Sequence, residues 1–243
     1  MYIKHLKEME SEACEVSRLT SSKSQGIVNL LQRALSIYAF GMSLEHAPDN
    51  TDATLARMGL ISQNFNSLKA AVDLACRGYY LQTMGLLRNV YENWLAFWYL
   101  SKYPAEAERW LHARWDSQPP KAETMKNKIN HPSKSMKAKL GELNAELCRF
   151  AHTDPVAILP LLSAREGETT VHFGVTYNAR LLNACAYGIS LWMGNMLDVL
   201  ALWIPEGSDW HKQKGRLMDE LIAFIEGCNE ELSGQEDVDN SDS

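Results

Sequence analysis

The chain has 243 residues, of which 46% are hydrophobic and 22% are charged, a balance typical of a globular protein with a sizeable core. Its formal net charge is −6, but residues 235–243 hold four acids and no base, so taking these four away leaves −2 on residues 1–234. A nearly neutral body with an acidic tail excludes nucleic-acid binding that depends on the charge of the whole chain.

Four helices are predicted in the first hundred residues, because apolar residues recur there at the helical period. The first covers residues 3–16 and the second residues 27–42, with serines between them that can cap the second. The third starts after Pro48 and Asn50 and runs to about Arg77. Gly78 then permits a tight turn, or a bend within one long helix, before the fourth.

The fourth helix, residues 81–100, carries only two charged residues, Arg88 and Glu92. They are four residues apart and therefore lie on one face of the helix. The other sides are apolar, and a helix that is apolar all round is typically buried. We therefore expect this ion pair to be enclosed in the core.

The second half of the chain is predicted to be helical with one interruption. Helices are expected at residues 105–117, 121–130 and 133–150, bounded by prolines. Apolar and polar residues then alternate over residues 169–177, which predicts a half-buried strand. This strand would pair with residues 158–162 across a turn at Glu166-Gly167, or with the same strand of a second subunit.

Residues 181–204 contain a single charge and are long enough to span a bilayer. They also contain asparagines, a serine and glycines, and no basic cluster flanks them closely, so we interpret them as a buried core helix and expect no membrane association. A last amphipathic helix covers residues 210–228. The prediction is one all-α domain, residues 1–234, a bundle of about seven to eight helices with a small β-hairpin or strand excursion near 158–177, followed by a disordered acidic tail, residues 235–243.

The five cysteines are isolated and odd in number, which indicates buried thiols rather than a disulfide framework. The first fifteen residues lack the apolar segment of a secretory signal. We therefore expect a cytoplasmic protein. The sequence has no HExxH or CxxC pair, no glycine-rich phosphate loop and no serine nucleophile elbow, so no metal or cofactor is expected.

Two interpretations of Arg88 and Glu92 remain open. As a structural clamp, the pair would join Asn89 and Asn93 in a polar network that ties helices together. As a binding site, Arg88 would hold an anion such as a phosphate, and Glu92 would orient it or act as a base.

Arg149 and His152 are three residues apart near the end of a predicted helix. One interpretation is a C-terminal cap, in which the helix carbonyls favour a charged histidine. The other is catalytic, because an imidazole and a guanidinium together can cleave RNA without metal: His152 would move the proton of the 2′-hydroxyl, and Arg149 or Arg88 would stabilise charge on the phosphate.

Residues 109–139 form the one locally positive stretch, with eight basic residues against two acids. Bases next to tryptophans are typical of proteins that bind single-stranded nucleic acid. The alternative interpretation is that these residues belong to helix surfaces exposed to solvent, which explains the same pattern. The residues that would face nucleic acid are His112, Arg114, Lys126 and Lys128.

Three motifs resemble a family of bacterial helical proteins known only as a domain of unknown function: GYYLQTMGLLRNVYE at residues 78–92, the later LCRFAHTDP, and TTVHFGVTY. The resemblance spans about residues 60–205. That arrangement is in turn similar to the HEPN superfamily, all-helical domains found in toxins, antiphage systems and RNA-cleaving proteins, usually as dimers. The HEPN active motif separates Arg from His by four to six residues, a longer spacing than that from Arg149 to His152.

The resemblance therefore implies the fold, a homodimer and a site at Arg88, Glu92 and His152. We interpret the protein as a soluble helical binding or interaction module, in a bacterial defence or stress system, with RNA or a nucleotide as the possible ligand. The alternative is a metal-independent HEPN-like ribonuclease that uses Arg149 and His152.

Overall fold

A computed structural model describes residues 2–44, 49–112, 120–129, 138, 141–142, 145, 147–149, 162–165, 168–171 and 175–239, and their side chains except at 2–4, 162–171 and 229–239. The protein is an all-α helical bundle, as predicted. Its helices are α1 (Tyr2–Lys23), α2 (Gln25–Leu44), α3 (Asp52–Cys76), α4 (Tyr80–Lys102), α5 (Ala107–Leu111), α6 (Ala122–Lys128), α7 (Ala179–Ala201) and α8 (Asp209–Asp239).

The ends of the central helices follow from individual residues. Thr51 caps α3, its hydroxyl accepting a hydrogen bond from the Thr54 N–H at 3.3 Å. Gly78 makes the turn between α3 and α4 with φ +84°, a conformation that glycine adopts without steric cost. Asn178 caps α7, its side chain accepting from the Leu181 N–H at 3.0 Å. The start of α3 and the turn at Gly78 were predicted from the sequence, whereas the Asn178 cap was not.

Helices α3 and α4 form an antiparallel hairpin at the centre of the bundle. The Thr83 hydroxyl donates to the Ala71 carbonyl near the turn, and Asn93 donates to Asn64 further from it. Helix α7 packs on both, and its buried positions include Leu182, Trp192 and Leu200. The predicted long apolar segment is thus a buried core helix.

Helices α2 and α8 close the bundle on the other side of α3 and α7. The Trp210 indole N–H donates to the Ile37 carbonyl at 2.8 Å, and the Tyr38 hydroxyl donates to the Ile61 carbonyl at 2.9 Å. Arg33 of α2 pairs with Glu220 of α8 at the surface. Buried side chains from α2, α3, α4, α7 and α8 thereby form one continuous core.

Two predicted boundaries need correction. The helix expected at residues 105–117 is a 3-10 turn, Pro104–Glu106, followed by the short α5, and residues 113–119 lie outside the described part. Helix α8 continues to Asp239, into the predicted disordered tail. Its Glu and Gln residues have high helix propensity, which favours this extension. The helix predicted at residues 133–150 is helical at its described positions, 138, 141–142, 145 and 147–149.

A two-stranded antiparallel hairpin is present, β1 (Leu162–Arg165) and β2 (Glu168–Val171). Leu162 pairs with Val171 and Arg165 with Glu168, so the strands join at residues 166–167, as predicted. The described partner strand is Leu162–Arg165, which overlaps the predicted segment 158–162 at Leu162, and residues 158–161 lie outside the described part of the chain. Residues 175–178 are not in a strand, so the predicted alternation overestimates its length.

Among the described residues, one helix, α2, is long and apolar enough to cross a membrane by length and composition. This is weak evidence, because core helices of soluble proteins pass the same test. In the bundle α2 packs against α3, α7 and α8 through residues that include Leu31, Ala34 and Tyr38.

A substitution at Gly41 tests the packing of α2 on α7 and α8. A Cβ added there would lie 2.4 Å from Leu200 Cδ2 and 2.6 Å from the Trp210 indole nitrogen. Alanine normally stabilises a helix relative to glycine, but we expect Gly41→Ala to lower the free energy of unfolding by about 1–3 kcal/mol through overpacking. The measurement is urea denaturation.

The matched control is Gly59→Ala at an exposed position of α3, where an added Cβ would meet no atom within 4 Å. This change should stabilise the protein by about 0.5–1 kcal/mol. Equal stabilisation by both substitutions would contradict the described contact of α2 with Leu200 and Trp210.

Candidate functional site

Arg88 and Glu92 pair as the spacing predicted, with Arg88 Nε donating to Glu92 Oε1 at 3.0 Å. Their side chains are 25% and 38% exposed, so the pair is not enclosed in the core as we expected. The buried stripe of α4, which includes Leu87, Val90 and Leu95, faces α3 and α7. The side with Arg88 and Glu92 is only half covered, and apolar residues on a helix do not by themselves ensure burial.

Asn89 and Asn93, which were predicted to join a polar network with Arg88 and Glu92, form hydrogen bonds with side chains of α3. Asn93 Nδ2 donates to Asn64 Oδ1 at 2.9 Å and to Asn89 Oδ1 at 3.2 Å, and Ser67 of α3 donates to Asn89. Asn89 and Asn93 therefore bond to α3, on the side of α4 next to the one that carries Arg88 and Glu92. Asparagine side chains therefore join α4 to α3.

Asn64 is the residue that sequence reasoning missed. It is fully buried, and its Nδ2 lies 3.2 Å from both the Val90 carbonyl of α4 and the Met196 sulfur of α7. A signal was present: Asn64 occupies the apolar stripe of α3 that includes Leu60, Ile61 and Leu68. A polar residue at a core position normally has hydrogen-bond partners there.

Tyr91 lies beside Glu92, and its ring is fully buried. Its hydroxyl has no hydrogen-bond partner among the described residues. Burial raises the pKa of Tyr91 well above its ordinary value, and the charges of Glu123, Cys148 and Glu92 add to this effect. The hydroxyl therefore stays protonated at neutral pH and is available as a hydrogen-bond donor.

The Tyr91 ring packs against Trp192 of α7, with the ring centroids 5.4 Å apart. Three further parts of the chain meet at Tyr91. They are α4, the start of α6 with Glu123, and residues 147–149, where Leu147 is buried and Arg149 is half-buried. Arg149 thus follows directly after a residue, Cys148, that lies near the Tyr91 hydroxyl. His152, its proposed catalytic partner, lies outside the described residues.

The residues predicted to face nucleic acid do not share one environment. His112 caps α5 and is exposed, and Arg114 lies outside the described residues. Lys126 pairs with Glu123 at 2.6 Å and its side chain is only 13% exposed, so it packs against the bundle rather than facing solvent. Lys128 is exposed, with its Nζ 5.9 Å from the ring centroids of Tyr99 and Tyr103.

A polar cleft of about 520 Å³ lies where the N-terminus of α3 meets the 3-10 turn, away from Arg88 and Glu92, and it is lined by Asp49, Thr51, Asp52, Ala53, Arg57, Pro104, Ala105 and Glu108. Hydrogen bonds from the Thr54 and Thr51 hydroxyls and the Thr51 N–H lower the pKa of Asp49 to about 2. The Arg57 guanidinium lies 4.9 Å from the ring centroid of Trp203. Across the described residues, no group of three or more His, Cys, Asp or Glu could hold a metal ion.

Residues 55–154 match the model of a protein family of unknown function, DUF5677. Comparison with curated proteins and comparison with solved structures each found no match. The matched range includes most of α3, all of α4 to α6, and Arg149 and His152. The similarity supports an uncharacterised domain that contains the candidate site, and it assigns no activity.

The buried asparagine contacts between α3 and α4 and the Arg88–Glu92 pair should differ in how much they stabilise the protein. Asn64→Ala removes a buried amide with partners on two helices, and we expect a loss of about 2–4 kcal/mol. Glu92→Ala opens a half-exposed pair, and we expect about 1–2 kcal/mol, between the values for exposed and fully buried pairs. Chemical denaturation of both variants measures these losses, and a larger loss for Glu92→Ala would show that the ion pair is the main clamp.

Proposed function

We propose that this protein is a helical binding module for a ligand that carries a phosphate on a ribose, either a nucleotide or single-stranded RNA. The ligand would bind on the side of α4 that presents Arg88 and Glu92, beside Tyr91. The observation that carries the proposal is the half-exposed Arg88–Glu92 pair next to a buried hydroxyl that lacks a partner among the described residues.

The chemistry of these groups suits a phosphate. A guanidinium presents N–H donors in a plane, which matches two phosphate oxygens. The hydrogen bond from Arg88 Nε to Glu92 Oε1, which is 3.0 Å long, fixes the orientation of that plane. The Tyr91 hydroxyl, which has no partner among the described residues, is a buried donor on the same helix.

Specificity for RNA or a nucleotide rests on the resemblance to HEPN domains. The same resemblance supports a role in bacterial defence or stress, and a ribonuclease activity of Arg149 and His152 as the alternative function. A binding module leaves its RNA intact, whereas a ribonuclease cleaves it, so one set of samples distinguishes the two functions.

Binding is tested with two probes, a fluorescein-labelled 12-nucleotide single-stranded RNA in anisotropy titrations and AMP in calorimetry. Arg88→Gln removes the charge, and loss of a charged hydrogen bond should weaken binding about 10-fold or more. Arg33→Gln is the matched control, because Arg33 is also paired with a glutamate but lies on α2. It should change the affinity less than about twofold. Melting curves, together with Arg88→Lys, separate loss of binding from loss of folding.

Three results would overturn the proposal. The first is no binding of either probe at millimolar concentration, and the second is equal weakening by Arg88→Gln and Arg33→Gln. The third is cleavage of the RNA, seen on a denaturing gel, that disappears in His152→Ala, which would establish the ribonuclease. Binding of AMP without RNA, or of RNA without AMP, supports the site and identifies its ligand.

A further inference from the structure

The polar cleft between the start of α3 and the 3-10 turn lies at the far end of α4 from Gly78, roughly 20 Å along that helix from Arg88. Its volume of about 520 Å³ falls within the range of small-molecule sites, about 300–1,000 Å³. The cleft shares no lining residue with the site proposed on α4, so a ligand bound here is independent of that site.

Arg57 is the only cation among the residues that line the cleft, and it is held in place by its neighbours. Its guanidinium carbon lies 4.9 Å from the ring centroid of Trp203 and 5.9 Å from that of Phe97. Its Nε donates to the Ala53 carbonyl at 3.1 Å, and its Nη2 donates to the Thr54 hydroxyl at 3.4 Å. These bonds turn the guanidinium back toward the first turn of α3, where the cleft lies.

The Arg57 guanidinium forms no ion pair within the described part of the chain. It has five N–H donors and uses two of them on Ala53 and Thr54, so three remain. Burial lowers the pKa of Arg57, and the charge of Asp49 offsets only part of this effect. The Asp49 carboxylate already accepts from the Thr51 N–H at 3.0 Å and from the Thr51 hydroxyl at 2.7 Å. A half-buried guanidinium normally bonds to an anion, and a ligand carboxylate matches its remaining donors.

The other charged residues of the cleft decide what else the ligand must carry. Asp52 and Glu108 are exposed at its edge, and neither forms an ion pair with a described residue. A simple anion would be repelled by these carboxylates, and a simple cation would be repelled by Arg57. A ligand with one carboxylate and two cationic groups complements both kinds of charge. Pro104 and Ala105, which also line the cleft, offer an apolar surface for an alkyl chain.

We propose that this cleft binds a free basic amino acid, lysine or arginine. The ligand carboxylate bonds to the free N–H groups of Arg57. The α-ammonium group and the cationic end of the side chain bond to the carboxylates of Asp52 and Glu108. The alkyl chain between them lies on Pro104 and Ala105.

Calorimetric titration of the full chain with L-lysine and L-arginine tests the proposal, and three compounds serve as matched analogues of lysine. Cadaverine lacks the carboxylate, 6-aminohexanoate lacks the α-amino group, and L-glutamate has a side chain of opposite charge. The tighter of the two basic amino acids should bind about 10-fold or more tightly than each analogue, because each analogue loses a charged hydrogen bond.

Substitutions in the cleft separate the roles of its charges. Arg57→Gln should weaken binding of the basic amino acid about 10-fold or more, while cadaverine binds as well as before or better, because a repelling cation is gone. Loss of folding would instead weaken both ligands. Glu108→Gln should weaken both several-fold. Glu106→Gln is the matched control, since Glu106 does not line the cleft and pairs with Arg109, and it should change both affinities less than about twofold.

Three results would overturn the proposal. The first is no binding of lysine or arginine at millimolar concentration. The second is cadaverine binding as tightly as lysine, which would mean that the cleft takes any amine or a basic side chain of a partner protein. The third is an equal effect of Glu108→Gln and Glu106→Gln, which would place the ligand outside the cleft.

Discussion

The side-chain amide of Asn64 is the polar contact on which the central scaffold depends. It is fully buried in α3 and bonds to α4 through Val90 and Asn93 and to α7 through Met196. A buried amide without partners costs several kcal/mol, so any shift of one helix along another would be penalised. Hydrophobic burial brings the three helices together, and this amide sets their register.

The scaffold gives α4 two sides with different roles. One side packs against α3 and α7 and contains the buried asparagine contacts. The side next to it presents Arg88 and Glu92 near Tyr91, with α6 and residues 147–149 at its edge. A rigid, well-packed helix that exposes a fixed guanidinium is a suitable base for a binding site. The proposed ligand site is therefore adjacent to the most constrained part of the fold.

Much of the helical fold could be predicted from local signals. Thr51, Gly78 and Pro104 mark real element boundaries, and the spacing of Arg88 and Glu92 predicts their bond. The prediction that this pair is buried was wrong, because periodicity identifies the apolar residues of a helix but not which neighbour covers each side. The position of Arg57 near Phe97 and Trp203 depends on contacts distant in sequence, which local patterns do not contain.

Native-state hydrogen exchange of α3 and α4 tests most directly whether these helices form the scaffold. The account predicts that amides at residues 60–72 and 83–96 exchange only through global unfolding, so that their free energies of exchange equal the free energy of unfolding from denaturation. Exchange of α4 amides at about half that free energy, by local separation of α4 from α3, would contradict it.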